Sequence, residues 1–118
     1  MGEMAIYHVN FHTLGRRPIF QQAEYDLMLR SYLPMVLKRR QVTCLAWEIM
    51  PTHVHLLLAD YPDYPRSTIL EQVKGDTSRA FFRTFPYLRE DLLGGHLWAK
   101  GYFWVEVSSH RQAWATIS

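Results

Sequence analysis

Two histidines separated by a single residue, His53 and His55, are the strongest candidates for chemistry in this sequence. They begin an apolar run that is typical of a β-strand, in which side chains two residues apart leave the same face with Cβ atoms about 6–7 Å apart. Two imidazoles at that spacing can converge on one divalent cation. Val54, Leu56 and Leu58 then point to the opposite face, where a core would hold the strand rigid.

A divalent cation needs at least one further ligand, usually with positions left open for water or substrate. Glu48 lies on the preceding predicted strand and is one candidate, although a hairpin register cannot be fixed from sequence. His8 and His12 on the first strand, and His96 and His110 on later segments, are equally open candidates. The alternative interpretation is two polar side chains on the wet face of a sheet.

The elements that must position this pair follow the order strand, helix, strand, strand, helix, strand. Alternation with period two predicts the strands, and an apolar i, i+3, i+4 pattern predicts the helices. This order is typical of a ferredoxin-like split βαβ fold of the α+β class, with a four-stranded antiparallel sheet and helices on one face. The other face is left for a ligand, a partner subunit or nucleic acid. The predicted strands are 4–13, 42–50, 53–59 and 102–108, and the predicted helices are 21–40 and 68–84.

Three local features are predicted within these elements. Pro34 should kink or locally disrupt the first helix, because it lacks an amide hydrogen. Thr68, three residues before Glu71, has the spacing of a capping box and should begin the second helix. Simple alternation along the second strand places Leu45 on the same face as Trp47.

Composition limits the class of protein. A chain of 118 residues with 48% hydrophobic residues fits one domain with a sizeable core. Its single cysteine, Cys44, cannot form an internal disulfide, which favours the reducing cytoplasm. No signal peptide and no apolar run of membrane-spanning length is apparent. A net charge of +2 permits a nucleic-acid partner but does not argue for one.

Four stretches together resemble the single-tyrosine HUH transposases, the insertion-sequence two-hundred group and its relatives associated with repetitive extragenic palindromes. The core of the resemblance is WEIMPTHVHLLL at residues 47–58. Residues 11–20 resemble the first strand and turn of that family, residues 73–79 its second helix, and residues 97–103 its last strand. The resemblance covers nearly the whole chain.

The resemblance implies a ferredoxin-like fold, a homodimer and recognition of hairpins in single-stranded DNA. It also implies Mg²⁺ or Mn²⁺ held by His53 and His55. In that family a tyrosine hydroxyl on the last helix attacks a DNA phosphate and forms a covalent phosphotyrosine. The physical logic is that the ion neutralises growing charge on the phosphate while tyrosine acts as a covalent nucleophile.

The sequence departs from the family pattern in this last helix, which is predicted to begin near Ser109. Residues 111–118 read RQAWATIS and contain no tyrosine. The family position falls at or beyond the end of the chain, as does a third metal ligand one turn later. We therefore expect residues 1–118 to form a single transposase-like domain that lacks the C-terminal part of this helix. No catalytic nucleophile is identified, and the chain as given is expected not to nick DNA.

Basic residues are the candidates for DNA contacts. Arg16 and Arg17 form one cluster, and Lys74 and Arg79 lie in the helix motif shared with the family. Such residues supply sequence-independent affinity by neutralising phosphates. The alternative for each is a solvated surface position.

Other functions remain open from the sequence. A non-catalytic single-strand DNA-binding protein would keep the fold and the dimer without the chemistry. A metal hydrolase of unrelated type would use the histidine pair with Glu48. A plain dimerisation module would leave both histidines merely exposed.

Overall fold

A computed structural model describes residues 5–59, 66–92 and 95–107 of the chain. It contains the predicted strand, helix, strand, strand, helix, strand order, with one additional short α-helix before the last strand and two 3₁₀-helices, Leu14–Arg16 and Ile19–Gln21, after the first strand. The elements are β1 (Ile6–His12), α1 (Ala23–Arg39), β2 (Thr43–Ile49), β3 (His53–Ala59), α2 (Arg66–Thr84), α3 (Pro86–Asp91) and β4 (Phe103–Val107). The predicted last helix lies outside the described residues.

The four strands form one antiparallel sheet in the order β2-β3-β1-β4. The strand that carries the histidine pair is therefore central, with β2 on one side and β1 on the other. Both neighbours are antiparallel to β3, as the short connection at Pro51 and Thr52 requires for the β2–β3 hairpin. The predicted ferredoxin-like α+β fold is confirmed.

The core lies between α1, α2 and one face of the sheet. Every second residue of the central strands points into it, because successive side chains of a strand leave opposite faces. Val9 and Phe11 of β1 and Val54, Leu56 and Leu58 of β3 are fully buried there. Helix residues that complete this core include Leu29, Leu33, Val36, Leu37, Leu70, Val73 and Phe81.

The simple alternation predicted for β2 is wrong at its first half. The register with β3 shifts between Cys44 and Ala46, which is a β-bulge centred on Leu45. A bulge inserts one unpaired residue and so reverses the facing of everything before it. Cys44 consequently shares the core face with Trp47, whereas Leu45 is exposed.

One helix prediction also needs correction. α2 begins at Arg66, so Thr68 lies inside its first turn and does not precede it. α1 runs from Ala23 to Arg39 as one helix, with Pro34 on its exposed side, so the proline does not divide the helix. An exposed proline in a helix still leaves one carbonyl without an amide donor, which water can satisfy.

Among the described residues, no helix is long and apolar enough to span a lipid bilayer.

Candidate metal centre and nucleic-acid interface

His53 and His55 lie on the sheet face opposite the core, both half-buried. Their strand is held by the fully buried Val54, Leu56 and Leu58 on the other face. The predicted geometry of the pair, two rings side by side on one face of a strand, is therefore present. The ability of the pair to bind one metal ion depends on the distance between its ring nitrogens.

The Nε2 atoms of His53 and His55 lie 3.0 Å apart. Two ligands at right angles, each about 2.1 Å from an octahedral ion, are themselves about 3 Å apart. The two nitrogens thus have the spacing of neighbouring ligands of one cation. The donor set also fits the chemistry, since imidazole is a common ligand for divalent first-row metals.

The opposite nitrogen of each ring is held by a neighbour. Nδ1 of His53 lies 2.9 Å from Oγ1 of Thr52. Nδ1 of His55 lies 2.9 Å from Nε2 of His8. Contacts of this kind fix the orientation of metal-binding histidines, so that the other nitrogen of each ring can face an ion.

The two histidines of β1 complete a four-histidine cluster on this face. The β1–β3 register places His12 opposite His53, and His8 stacks on His55 with ring centroids 5.1 Å apart. His8 is buried, and its Nδ1 has no hydrogen-bond partner in the described part of the chain. The alternation of β1 already placed His8 and His12 on one face, but only the register shows which histidines meet.

Charge around the pair is mixed. Burial is the largest effect on the pKa of His53, which it lowers, and the positive charges of neighbouring histidine and Arg16 act in the same direction. Burial likewise lowers the pKa of His55, and His8 lowers it further. Glu48 opposes both shifts. It stands opposite His55 in the β2–β3 register, so this sequence candidate does lie beside the pair.

Within residues 5–59, 66–92 and 95–107, no group of three or more histidine, cysteine, aspartate or glutamate side chains is arranged to hold a metal ion. The described part of the chain thus offers two ligands, His53 and His55. His96 is exposed and lies apart from the pair, on the wall of a groove described below. His110 lies outside the described residues.

A groove of about 840 Å³ lies between α2 and the segment that leads into β4. Five basic residues and one acidic residue contribute to its wall, so its charge favours an anionic ligand. These residues are Lys74, Arg79, Arg83, Arg89, Lys100 and Glu71.

The groove and the histidine cluster share one end of the sheet. The amide of Ala99, on the groove wall, donates to the carbonyl oxygen of His12 at 2.8 Å. The amide of Leu14 donates to the carbonyl oxygen of Leu97 at 2.9 Å. The segment that borders the groove is thereby hydrogen-bonded to the end of β1, which carries part of the cluster.

The four basic residues predicted to contact DNA lie in different surroundings. Arg16 is exposed beside the histidines, close enough that its charge lowers the pKa of His12 and His53. Arg17 is exposed and donates to the carbonyl oxygen of Asp91. Arg79 is exposed on the groove wall.

Lys74 is the exception, because its ammonium group is used inside the protein. The residue is only 5% exposed, and its Nζ donates to the carbonyl oxygens of Ala99 and Gly101 at 2.8 and 2.9 Å. Burial lowers its pKa, while Glu71 at 3.6 Å opposes that shift. A direct phosphate contact would require these bonds to open, so the structure favours a supporting role beside the groove.

Comparison with known proteins finds a relative in sequence, solved structures of the same fold and a matching family. A curated relative, the ISDra2 transposase TnpA of Deinococcus radiodurans, is 33% identical over 85 residues, which cover 72% of this chain and 61% of the relative. The chain thus spans about three fifths of the length of that relative.

Two solved structures are similar. A crystal structure of a transposase from Deinococcus radiodurans matches with a TM-score of 0.79 and 28% identity, covering 98% of this chain and 88% of that one. A REP-associated tyrosine transposase bound to a REP hairpin matches with a TM-score of 0.66 and 17% identity, covering 96% of this chain and 62% of that one.

A sequence model of the family described as IS200-like transposases matches residues 3–116. Because that match extends over nearly the whole chain, this protein belongs to the IS200-like transposase family.

Proposed function

We propose that this chain is a DNA-transposition domain that binds hairpins in single-stranded DNA and holds Mg²⁺ or Mn²⁺ with His53 and His55. The observation that carries the proposal is the 3.0 Å separation of their Nε2 atoms. Each opposite nitrogen is already held, one by Thr52 and one by His8. The two Nε2 atoms thereby lie next to each other on the sheet face opposite the core.

A bound ion would act as a Lewis acid on a DNA phosphate and offset the charge that develops there. The residues of the chain supply position and charge. His53 and His55 would hold the ion through Nε2, while Thr52 and His8 orient their rings. Arg16, at the rim of the cluster, is placed to pair with a phosphate oxygen through its guanidinium group.

The basic groove supports the DNA partner. Arg79, Arg83 and Lys100 line it, and the segment that borders it is hydrogen-bonded to the end of β1. A strand whose phosphates lie along these residues could reach the histidine pair without crossing the core. The structural neighbour of similar fold is bound to a REP hairpin, which supports a hairpin as the ligand class here.

We propose a homodimer that uses β4. This strand is at the edge of the sheet, and Phe103 and Val105 on its open face are 50% and 39% exposed. An edge strand with exposed apolar side chains is a natural template for pairing. In sedimentation experiments we expect the parent to be dimeric and Val105→Glu to be monomeric; a monomeric parent would contradict the dimer.

We place the protein in the cytoplasm, because the free thiol of Cys44 fits a reducing compartment.

A second candidate is a DNA-binding protein of the same family without nicking activity. All five tyrosines of the described part belong to the helix side or the core side of the sheet, away from the histidine pair. They are Tyr7, Tyr25, Tyr32, Tyr87 and Tyr102. The other two tyrosines of the sequence, Tyr61 and Tyr64, lie outside the described residues, and residues 108–118 contain none.

The two candidates are separated by a covalent-adduct assay. Labelled hairpin DNA is incubated with the 118-residue chain and Mn²⁺, and the products are resolved on a denaturing gel. The second candidate predicts specific binding without a protein–DNA adduct. A protein–DNA adduct would instead show that the chain contains a nucleophile and would favour the first candidate, the DNA-transposition domain.

Hairpin recognition itself is tested by binding at two salt concentrations. We expect a hairpin-bearing single strand to bind more tightly than an unpaired strand or a duplex of equal length, and each affinity to fall with salt. Equal affinity for all three DNAs would contradict the proposal that the protein recognises hairpins.

The ion site is tested by Mn²⁺ titration, followed by electron paramagnetic resonance of the free ion. His53→Ala and His55→Ala should each bind Mn²⁺ much more weakly than the parent. His96→Ala is the matched control, because it removes an exposed imidazole outside the cluster. Unchanged affinity in both of the first two variants would overturn the site.

A further inference from the structure

A continuous chain of side-chain contacts runs from β1 through the histidine pair to Thr52. His8 Nε2 meets His55 Nδ1 at 2.9 Å, His55 Nε2 meets His53 Nε2 at 3.0 Å, and His53 Nδ1 meets Thr52 Oγ1 at 2.9 Å. Each contact is a hydrogen bond that holds one proton. The direction of donation must therefore be consistent along the whole chain.

One buried atom decides that direction when no ion is bound. His8 Nδ1 is buried and has no partner in the described part of the chain. A buried N–H without an acceptor is rarer and less favourable than an acceptor without a donor. His8 therefore carries its proton on Nε2 and donates to His55, His55 donates from Nε2 to His53, and His53 donates from Nδ1 to Thr52.

The three hydrogen bonds of this chain hold one proton each, which gives one proton to each of the three rings. A neutral imidazole has one donor nitrogen and one acceptor nitrogen. The position of each proton, and not the total number of protons, is therefore what can change.

A cation binds a nitrogen through its lone pair. In this arrangement the Nε2 atom of His55 carries a proton, so the two Nε2 atoms cannot both hold a cation. His53 already presents a lone pair at Nε2, since its proton faces Thr52. His55 presents a proton there and must move it to Nδ1, where it faces His8. His8 can accept that bond only if its own proton moves from Nε2 to Nδ1, so ion binding must offset the cost of a buried Nδ1–H that has no acceptor in the described part of the chain.

Resting on the proposed ion site, we propose that His8 is a positioning residue that reverses its tautomer when a divalent cation occupies the His53–His55 pair. Two protons are present before and after. His55 Nε2–H and His8 Nε2–H are replaced by His55 Nδ1–H and His8 Nδ1–H, and no net charge changes. Thr52 and His53 keep their bond, so the change is confined to the His8 side of the pair.

Nitrogen NMR of the ¹⁵N-histidine-labelled chain tests this directly, because ring ¹⁵N shifts distinguish the two neutral tautomers. The metal-free chain should show the Nε2–H form at His8 and His55 and the Nδ1–H form at His53. Saturation with diamagnetic Mg²⁺ should convert His8 and His55 to the Nδ1–H form and leave His53 unchanged. Ion binding with His8 still in the Nε2–H form would overturn the inference.

Mn²⁺ affinity gives an independent readout that does not depend on DNA cleavage. His8→Phe keeps an aromatic ring but leaves His55 Nδ1 without a partner, and we expect binding about tenfold weaker. His8→Gln should recover most of the parent affinity, because its amide can rotate to donate or to accept. Equal affinity of His8→Phe and the parent would also overturn the inference.

The outcomes separate this inference from the ion site on which it rests. If the parent binds neither Mg²⁺ nor Mn²⁺, the ion site and the role of His8 fail together. If the parent binds the ion and the His53→Ala variant does not, but His8 neither changes tautomer nor affects affinity, only the role of His8 fails.

Discussion

The ammonium nitrogen of Lys74 lies 2.9 Å from the carbonyl oxygen of Gly101, so a charged side chain of α2 holds the segment that leads into β4. A second bond reaches the carbonyl oxygen of Ala99. Sequence alone suggested a phosphate contact for Lys74, but the side chain is enclosed by its own protein. Its substitution should therefore alter stability before it alters DNA binding.

Lys74→Met keeps the length of the side chain and removes its donors. We expect the free energy of unfolding to fall by about 2 kcal/mol, since hydrogen bonds to a charged group are worth about 1.5–3 kcal/mol each and water can replace part of them. Urea unfolding followed by circular dichroism measures this. A change within experimental error, together with a large loss of DNA affinity, would contradict the supporting role.

Arg79→Ala should show the opposite pattern. Arg79 is exposed on the groove wall, so its removal should change stability by less than about 0.5 kcal/mol. If it contacts a phosphate, DNA affinity falls and the slope of log K against log salt decreases by about 0.7.

The matched control for Arg79→Ala is Arg30→Ala. Arg30 is also an exposed helix arginine paired with an aspartate, but it lies on α1, outside the groove wall. Equal effects of the two substitutions on DNA binding would show that the groove is not the interface.

Asp76 of α2 links this helix to α1 through Arg40, the residue that follows α1. Its carboxylate accepts two hydrogen bonds from Arg40, both of 3.0 Å, and a third from Arg79 at 2.5 Å. Burial alone would raise the pKa of Asp76, but the bonds from Arg40 and Arg79 outweigh it and lower that pKa below its usual value.

A lowered pKa in the folded state fixes the sign of the pH dependence. The stabilisation by Asp76 is present above the unfolded pKa, about 3.9, and is lost as pH falls through the lower folded value. Asp76→Asn should therefore lower the free energy of unfolding by about 2 kcal/mol at pH 7 and by less at pH 3. A difference from the parent that is the same at both pH values would contradict this.

The fold and the histidine pair could be predicted because both depend on local periodicity. Alternation along β3 fixes the common face of His53 and His55 whatever the partners of the strand. His8 could not be selected from among the other histidines, because its contact with His55 depends on the β1–β3 register. The bulge at Leu45 and the enclosure of Lys74 were missed for the same reason, since each is set by tertiary pairing.

The reactivity of Cys44 tests the β-bulge at Leu45. Because of this bulge, the thiol of Cys44 faces the core side of the sheet, where its Sγ donates to the carbonyl oxygen of Ala46 at 3.2 Å. Burial raises the pKa of Cys44 to about 11. At pH 7.5 the thiolate should be about 100-fold scarcer than for an exposed cysteine, and alkylation by iodoacetamide should be slower in proportion. Alkylation of the native chain at the rate of the urea-unfolded chain would contradict this placement.

Thr52 should determine the orientation of His53 through its hydroxyl alone. The carbonyl oxygen of Thr52 accepts from the amide of Thr13 at 2.8 Å, and that backbone bond survives any substitution of the side chain. Thr52→Val has nearly the same shape but offers no acceptor to His53 Nδ1, so we expect Mn²⁺ affinity about tenfold below that of the parent. Thr52→Ser retains the hydroxyl and should bind Mn²⁺ nearly as the parent does. If both variants lose affinity equally, the methyl group and its packing, and not the hydrogen bond, are what His53 requires.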